Sequence, residues 1–277
     1  MLTLSQTRKI LAKLGHEPRK ALGQNYLVDA NIVRKSLELA EVKAGDVIVE
    51  VGPGLGTLTQ SLLEAGAKVF AIEADKTMFA YQTENLLKTY LDDLNITLGD
   101  AVDKPRAGLP DEIASRGDFK IVANLPYAIS TPWLETLIAG PLPKSITVMV
   151  QKEAGDRFMA ESGTKQFGAV SIFLQSAYRR AKAHSVSSSC FHPAPKVDSM
   201  IVHLERLNNP FCFTPVSRKV IRRIFTQRRK QIGGIVRRLD EREQLESWLE
   251  EIASLGISPQ SRPEQVPLEA WQKLTLE

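Results

Sequence analysis

The stretch Val47-Ile48-Val49-Glu50-Val51-Gly52-Pro53-Gly54-Leu55-Gly56 decides the reading of this 277-residue chain. A short, nearly continuous apolar run enters a turn with glycines at 52, 54 and 56, and a helix-forming segment from Thr57 to Ala65 follows, closed by Gly66. Such a run, bounded by a turn and followed by a helix, is what a parallel strand buried on both faces looks like. Glycine in the turn lets the backbone approach a ligand and adopt conformations barred to other residues. A dinucleotide-binding turn would place its third glycine at position 57. Thr57 stands there instead, which weighs against an oxidoreductase.

Working outward, the same alternation continues. Asp29 is placed to cap a helix carrying Ile32, Val33, Ser36, Leu37 and Ala40 on one side. Val69–Ile72, Ile96–Leu98, Phe119–Ala123 and Ile146–Val150 read as further buried strands between helical stretches. Ala181–Cys190 and Val197–Leu204 are separated only by a proline-containing loop, too short for a crossover helix, so they should pair antiparallel at one edge of the sheet. The pattern predicts an α/β fold with a Rossmann-like seven-stranded sheet. From Phe213 onward only helical spacing remains, with Val216, Val220 and Ile224 on one stripe and Ile221 and Phe225 beside it. Asn208-Asn209-Pro210 marks the loop between. The expected division is a sheet domain over 1–208, with a basic N-terminal arm, and a small all-helical domain over 209–277.

Composition narrows the function. An apolar fraction of 43% is ordinary for a globular protein. No apolar run approaches the ~18 residues of a membrane helix. Met1 to Leu14 mixes Arg8, Lys9 and Lys13 with apolar positions at helical spacing, and reads as a basic surface helix rather than a transit peptide. Cys190 and Cys212 form no CxxC pair, and the four histidines are scattered, so neither structural zinc nor a disulfide framework is expected, as suits a reducing cytoplasm. Nothing reads as a dimer stripe, so the expectation is a monomer. The net charge of +4 is unevenly spread: Arg218, Lys219, Arg222, Arg223, Arg228, Arg229, Lys230, Arg237 and Arg238 contribute nine positive charges between 216 and 238 with no acid among them, which leaves −5 on the rest. A concentrated basic segment on a nearly neutral body is the footprint of a polyanion binder, although such a run can also be a solvated helix face.

Three strand ends carry candidate chemistry. Glu73 in AIEAD ends the second strand, where a carboxylate can accept both ribose hydroxyls of an adenosine lying across the strand ends. Asp100 in LGDA ends the third strand and can accept from an adenine amino group. With the glycine turn, they point to a nucleoside-type cofactor. The fourth strand ends in Asn124-Leu125-Pro126-Tyr127. The exocyclic amine of adenine is a poor nucleophile because its lone pair is delocalised into the ring, and no ordinary side-chain base deprotonates it. A pair of acceptors, the Asn124 side-chain oxygen and a backbone carbonyl at Leu125 or Pro126, can bind its two N–H bonds and favour a pyramidal nitrogen by positioning and preorganisation. Pro126 fixes the backbone, and Tyr127 offers a flat face for an extruded base. Read alone, the tetrapeptide is also a plain strand-ending turn.

With these motifs in order, the chain resembles the ribosomal RNA adenine N6-dimethyltransferases. GQNYL (Gly23–Leu27), EVGPGLGTLT (Glu50–Thr59), AIEAD, LGDAV, NLPY, FHPAPKVDS (Phe191–Ser199) and FTQRRKQI (Phe225–Ile232) carry the likeness through nearly the whole chain. Tyr26, Val102 and His192 depart from the family's usual residues. The resemblance implies an S-adenosylmethionine-dependent methyltransferase sheet without a metal. It implies Asn25 and Leu27 at the cofactor's methionine end, Gly52 beneath it, Glu73 on the ribose, Asp100 at the adenine, and Asn124 between cofactor and substrate. FHPAPKVDS resembles the loop that closes over the target base, and FTQRRKQI the RNA-binding region. VDS after PK, with the RRK helix, favours the small-subunit branch, which modifies two adjacent adenines in the 3′-terminal hairpin loop of 16S rRNA, over the antibiotic-resistance branch acting on one adenine of 23S rRNA. A non-catalytic assembly or transcription factor on the same scaffold is disfavoured by intact Glu73, Asp100 and NLPY.

Overall fold

The fold is known from a computed structural model, which describes residues 2–19 and 22–277. Its contacts divide the chain into two compact units. One comprises residues up to 155 together with 180–206, and the other 156–179 together with 207–277.

The first unit begins with α1 (Leu4–Lys13), whose N-cap Thr3 exchanges hydrogen bonds with Gln6 in a capping box. A two-residue strand, β1 (Tyr26–Leu27), follows. Asp29 caps α2 (Ala30–Leu39) by accepting from the N–H groups of Asn31 and Ile32, as its position predicts. Then come β2 (Val47–Val51), α3 (Thr57–Glu64), β3 (Lys68–Glu73), α4 (Lys76–Gln82), β4 (Leu94–Leu98), α5 (Asp111–Arg116), β5 (Lys120–Asn124), α6 (Ser130–Leu137) and β6 (Ser145–Gln151). After α7 (Lys152–Phe158) and α8 (Ala169–Ala177) the chain returns through β7 (Tyr178–Val186), β8 (Phe191–His192) and β9 (Ser199–Arg206).

Seven strands form one sheet in the order β4-β3-β2-β5-β6-β9-β7. β2 to β6 pair in parallel and β9 runs antiparallel to β6. The two late strands, β9 and β7, are neighbours at one edge of the sheet, as expected. One expectation needs adjusting: the connection between them is not a plain loop, because β8 leaves it to pair antiparallel with β1, Tyr26 opposite His192 and Leu27 opposite Phe191. The parallel strands are mostly apolar in their middles, where both faces are covered, and Ile48, Val69, Ile121 and Val148 have no exposed surface. The strand order reverses between β3 and β5 on either side of β2, so a crevice opens beyond their carboxyl ends, where open α/β sheets bind ligands.

In the second unit, α9 (Pro215–Phe225) starts with Thr214 as N-cap and proline at its first position. α10 (Ile232–Val236), α11 (Arg242–Ala253) and α12 (Leu268–Gln272) complete it. Its core is aromatic. Phe225 lies 5.5 Å from Trp271, which lies 5.1 Å from Trp248, centroid to centroid. Both indole N–H groups are satisfied, Trp248 by the Ala270 carbonyl and Trp271 by that of Val266. A single cut between 208 and 209 does not describe this partition, because 156–179 group with the helical C-terminal residues. Phe173 of α8 and Phe167 before it supply aromatic surface to that core, 5.5 Å from Phe213 and 6.3 Å from Phe225. No helix among the described residues is long and apolar enough to cross a membrane.

Candidate active site

The carboxyl ends of β2, β3, β4 and β5 open into one cleft of about 1130 Å³, its mouth included. Asn25, Leu27, Gly52, Glu73, Asp100, Asn124, Leu125, Pro126 and Tyr127 all line it, so every candidate residue is brought to one place.

The glycine turn packs closely against two other walls. Gly52 and Gly54 have φ near +65° and +60°, and a Cβ on either would crowd Pro126 at 3.0 Å or the Tyr26 ring at 3.1 Å. Any larger residue would have to displace the NLPY turn or the arm that carries β1. Glu73 is almost wholly buried. Its carboxylate accepts from the N–H of Gly54 at 3.0 Å and of Asp75 at 2.8 Å. Burial raises its pKa above the usual carboxylate range, and those backbone donors oppose the shift. Asp100 is exposed and accepts from the Val102 N–H through Oδ1.

In the NLPY turn, Asn124 Nδ2 donates to the Asn25 carbonyl at 3.4 Å, which leaves Oδ1 as the acceptor end of the amide. The Pro126 carbonyl accepts from the Ile129 N–H at 3.1 Å. The Leu125 carbonyl accepts no hydrogen bond among the described residues. Of the two carbonyls that sequence leaves open, that of Leu125 is therefore the one with both lone pairs free.

Several residues of this site escape a reading of sequence. Gln24 bridges the N-terminal arm to the sheet, accepting from Arg19 N–H and donating to Asp75 at 3.0 Å. His16 reaches the same Gln24 oxygen at 3.1 Å. Asp75 in turn caps α4 through the N–H groups of Thr77 and Met78. Tyr26 donates its hydroxyl to Met78 Sδ. Glu50 also lines the cleft. It is 2% exposed, and its Oε2 has no hydrogen-bond partner among the described residues. Burial pushes its pKa up to about 8, with the Thr59 hydroxyl opposing and the Glu73 charge adding to the rise. One signal was present in the sequence: an acid in the middle of an otherwise apolar buried strand is too costly to be incidental.

The donor set suits S-adenosylmethionine. It offers a buried carboxylate at the end of β3, a second acid at the end of β4, a glycine turn with no side chains to fill the space over it, and an orphan carboxyl oxygen below. Residues 15–275 match the family described as ribosomal RNA adenine dimethylase. The ribosomal RNA small subunit methyltransferase A of Opitutus terrae is 53% identical over 274 residues, which cover 99% of this chain and 98% of that one. Its namesake from Chlamydia abortus is 38% identical over 97% of this chain and 95% of its own. A solved dimethyladenosine transferase from Plasmodium falciparum superposes with a TM-score of 0.72 at 26% identity, covering 90% of this chain and 95% of that one. The chain belongs to the ribosomal RNA adenine dimethylase family and is an S-adenosylmethionine-dependent adenine dimethyltransferase.

Proposed function

We propose that this enzyme dimethylates N6 of two adjacent adenines in the 3′-terminal hairpin loop of 16S rRNA. It acts as a cytoplasmic monomer on the small ribosomal subunit or a late precursor. Two relatives with near full-length matches are named small subunit methyltransferases, which supports this substrate. Glu73 holds the cofactor's ribose hydroxyls, Asp100 its adenine amine, and Asn25 and Leu27 its methionine end above Gly52. When bound, S-adenosylmethionine supplies an electrophilic methyl group.

The observation that carries the catalytic reading is the orientation of Asn124. Its Nδ2 is committed to the Asn25 carbonyl, so Oδ1 and the unoccupied Leu125 carbonyl form a pair of acceptors at one strand end. They bind the two N–H bonds of the target amine and aim its lone pair, by geometry rather than by deprotonation. Tyr127 stacks on the extruded base. RNA is held by basic side chains of the second unit through its phosphates. The test is mass spectrometry of ribosomal RNA after separate incubations of undermethylated small subunits and of large subunits with enzyme and isotope-labelled methyl donor. Two labelled dimethyladenosines in one 3′-terminal fragment are expected. Label in 23S rRNA, or none, would overturn the assignment.

A further inference from the structure

The Tyr127 hydroxyl meets the Ser199 hydroxyl at 2.5 Å. Ser199 has no exposed surface and opens β9, opposite Gln151 at the end of β6. It is the last residue of FHPAPKVDS, whose start, β8, pairs with β1 beside the cofactor residues Asn25 and Leu27. The other end of Tyr127 is also fixed. Its carbonyl accepts from Ser130 Oγ at 3.1 Å, and the turn before it is closed by the Ile129 N–H on the Pro126 carbonyl. An aromatic ring bonded at its far end and anchored at its near end has lost its side-chain freedom before any ligand arrives.

We infer that Ser199 is a positioning residue for methyl transfer, holding the Tyr127 ring as a preset stacking platform for the target adenine. The inference rests on the reading of Tyr127 as that platform. A free tyrosine would have to be ordered when the base enters, and the ordering cost would be subtracted from stacking. The Ser199 bond removes that cost in advance. Ser199 itself is buried in the sheet and touches neither substrate nor cofactor; it acts only through the phenol oxygen.

The experiment is a double-mutant cycle on the full-length enzyme with small subunits as substrate. Ser199→Ala should lower the single-turnover methylation rate by about five- to tenfold, the scale of one net hydrogen bond. S-adenosylmethionine affinity should stay near the parent value, and the melting temperature should fall by only a few °C, the scale of one buried hydrogen bond. Tyr127→Phe keeps the ring and removes the same bond, so it should show a similar loss. The double variant should be no slower than either single one. Losses that multiply, or a Ser199→Ala rate within twofold of the parent, would overturn the inference. A companion measurement needs no substrate: NMR of enzyme carrying ¹³C-labelled tyrosine should show the Tyr127 ring ordered in the parent and mobile in Ser199→Ala. An equally ordered ring in both would also overturn it. A parent inactive on small subunits would sink the rRNA assignment instead, while the ring measurement would still decide what Ser199 does.

Discussion

The cleft at the strand ends and the basic surface of the second unit are both polar regions, but their side chains are committed in opposite ways. In the cleft, local bonds leave acceptors unpaired. Asn124 spends its donor on Asn25, and Pro126 spends its carbonyl on Ile129, so Asn124 Oδ1 and the Leu125 carbonyl remain. In the basic segment, local bonds consume much of the charge. Arg218 and Arg222 lie over the Phe173 ring at 4.6 and 5.6 Å. Arg223 pairs with Asp240 and Glu241, and Arg228 faces Glu264 at 3.9 Å. Arg229, Lys230 and Arg238 instead line an open cleft with Arg262, Gln260 and Gln265. A run of nine cations is therefore not nine phosphate ligands. The lesson is that a motif tells which groups converge, whereas only the surrounding structure tells which of their valences are left.

The largest effect should come from breaking the acceptor pair. Asn124→Ala should reduce single-turnover methylation by on the order of 10²–10³ with RNA affinity nearly unchanged, because the lost interaction strengthens toward the transition state. Glu73→Ala gives the contrast within the same cleft. It should weaken S-adenosylmethionine binding by at least about tenfold, the scale of a charge-assisted hydrogen bond. Calorimetry and single-turnover kinetics on both variants separate the roles. Similar kinetic profiles for the two would erase the division between them.

The basic segment offers a smaller and different test. Replacing Arg229, Lys230, Arg238 and Arg262 by glutamine should flatten the slope of log K against log salt for RNA binding by as much as about 3, at ~0.7–0.9 per phosphate contact. Replacing Arg218, Arg222 and Arg223 should leave most of that slope and lower the melting temperature instead, since those side chains stack on Phe173 or pair with acids inside the unit. The reverse outcome would return the RNA interface to the helical run itself.

How much of this is legible in the sequence follows from how far each signal reaches along it. The strands of the parallel sheet declare themselves because each is a local apolar run, and the candidate residues Glu73, Asp100 and Asn124 stand directly after such runs. The choice between the Leu125 and Pro126 carbonyls is hidden, because it depends on where the Ile129 N–H turns. The pairing of β1 with β8 is also hidden, since two residues have no periodicity and their partners lie far apart in sequence. The same holds for the fate of the arginines: Phe173, Asp240, Glu241 and Glu264 all lie outside the run. It holds too for residues 156–179, which join the C-terminal unit through long-range packing of Phe167 and Phe173.

The last test concerns Glu50, which like Glu73 is a buried acid of the cleft but keeps an orphan oxygen. Its carboxyl is held up to about 8 by burial, against about 4.5 for an exposed glutamate. Between those values the folded, cofactor-free protein keeps a proton that the unfolded chain releases. Stability from this group is therefore present at low pH and is lost as pH rises from about 5 through about 8. His203 works in the opposite sense: burial lowers its pKa, so its contribution grows as pH rises toward 6.5. The raw melting curve mixes the two, and the difference between parent and Glu50→Gln isolates the carboxyl. The variant should melt close to the parent near pH 5 and progressively above it as pH rises through about 8. Saturating S-adenosylmethionine should narrow that gap, since a bound cation favours the ionised carboxyl. Parallel melting curves at all pH values would mean that Glu50 is charged in the folded protein, and that an unseen partner satisfies its orphan oxygen.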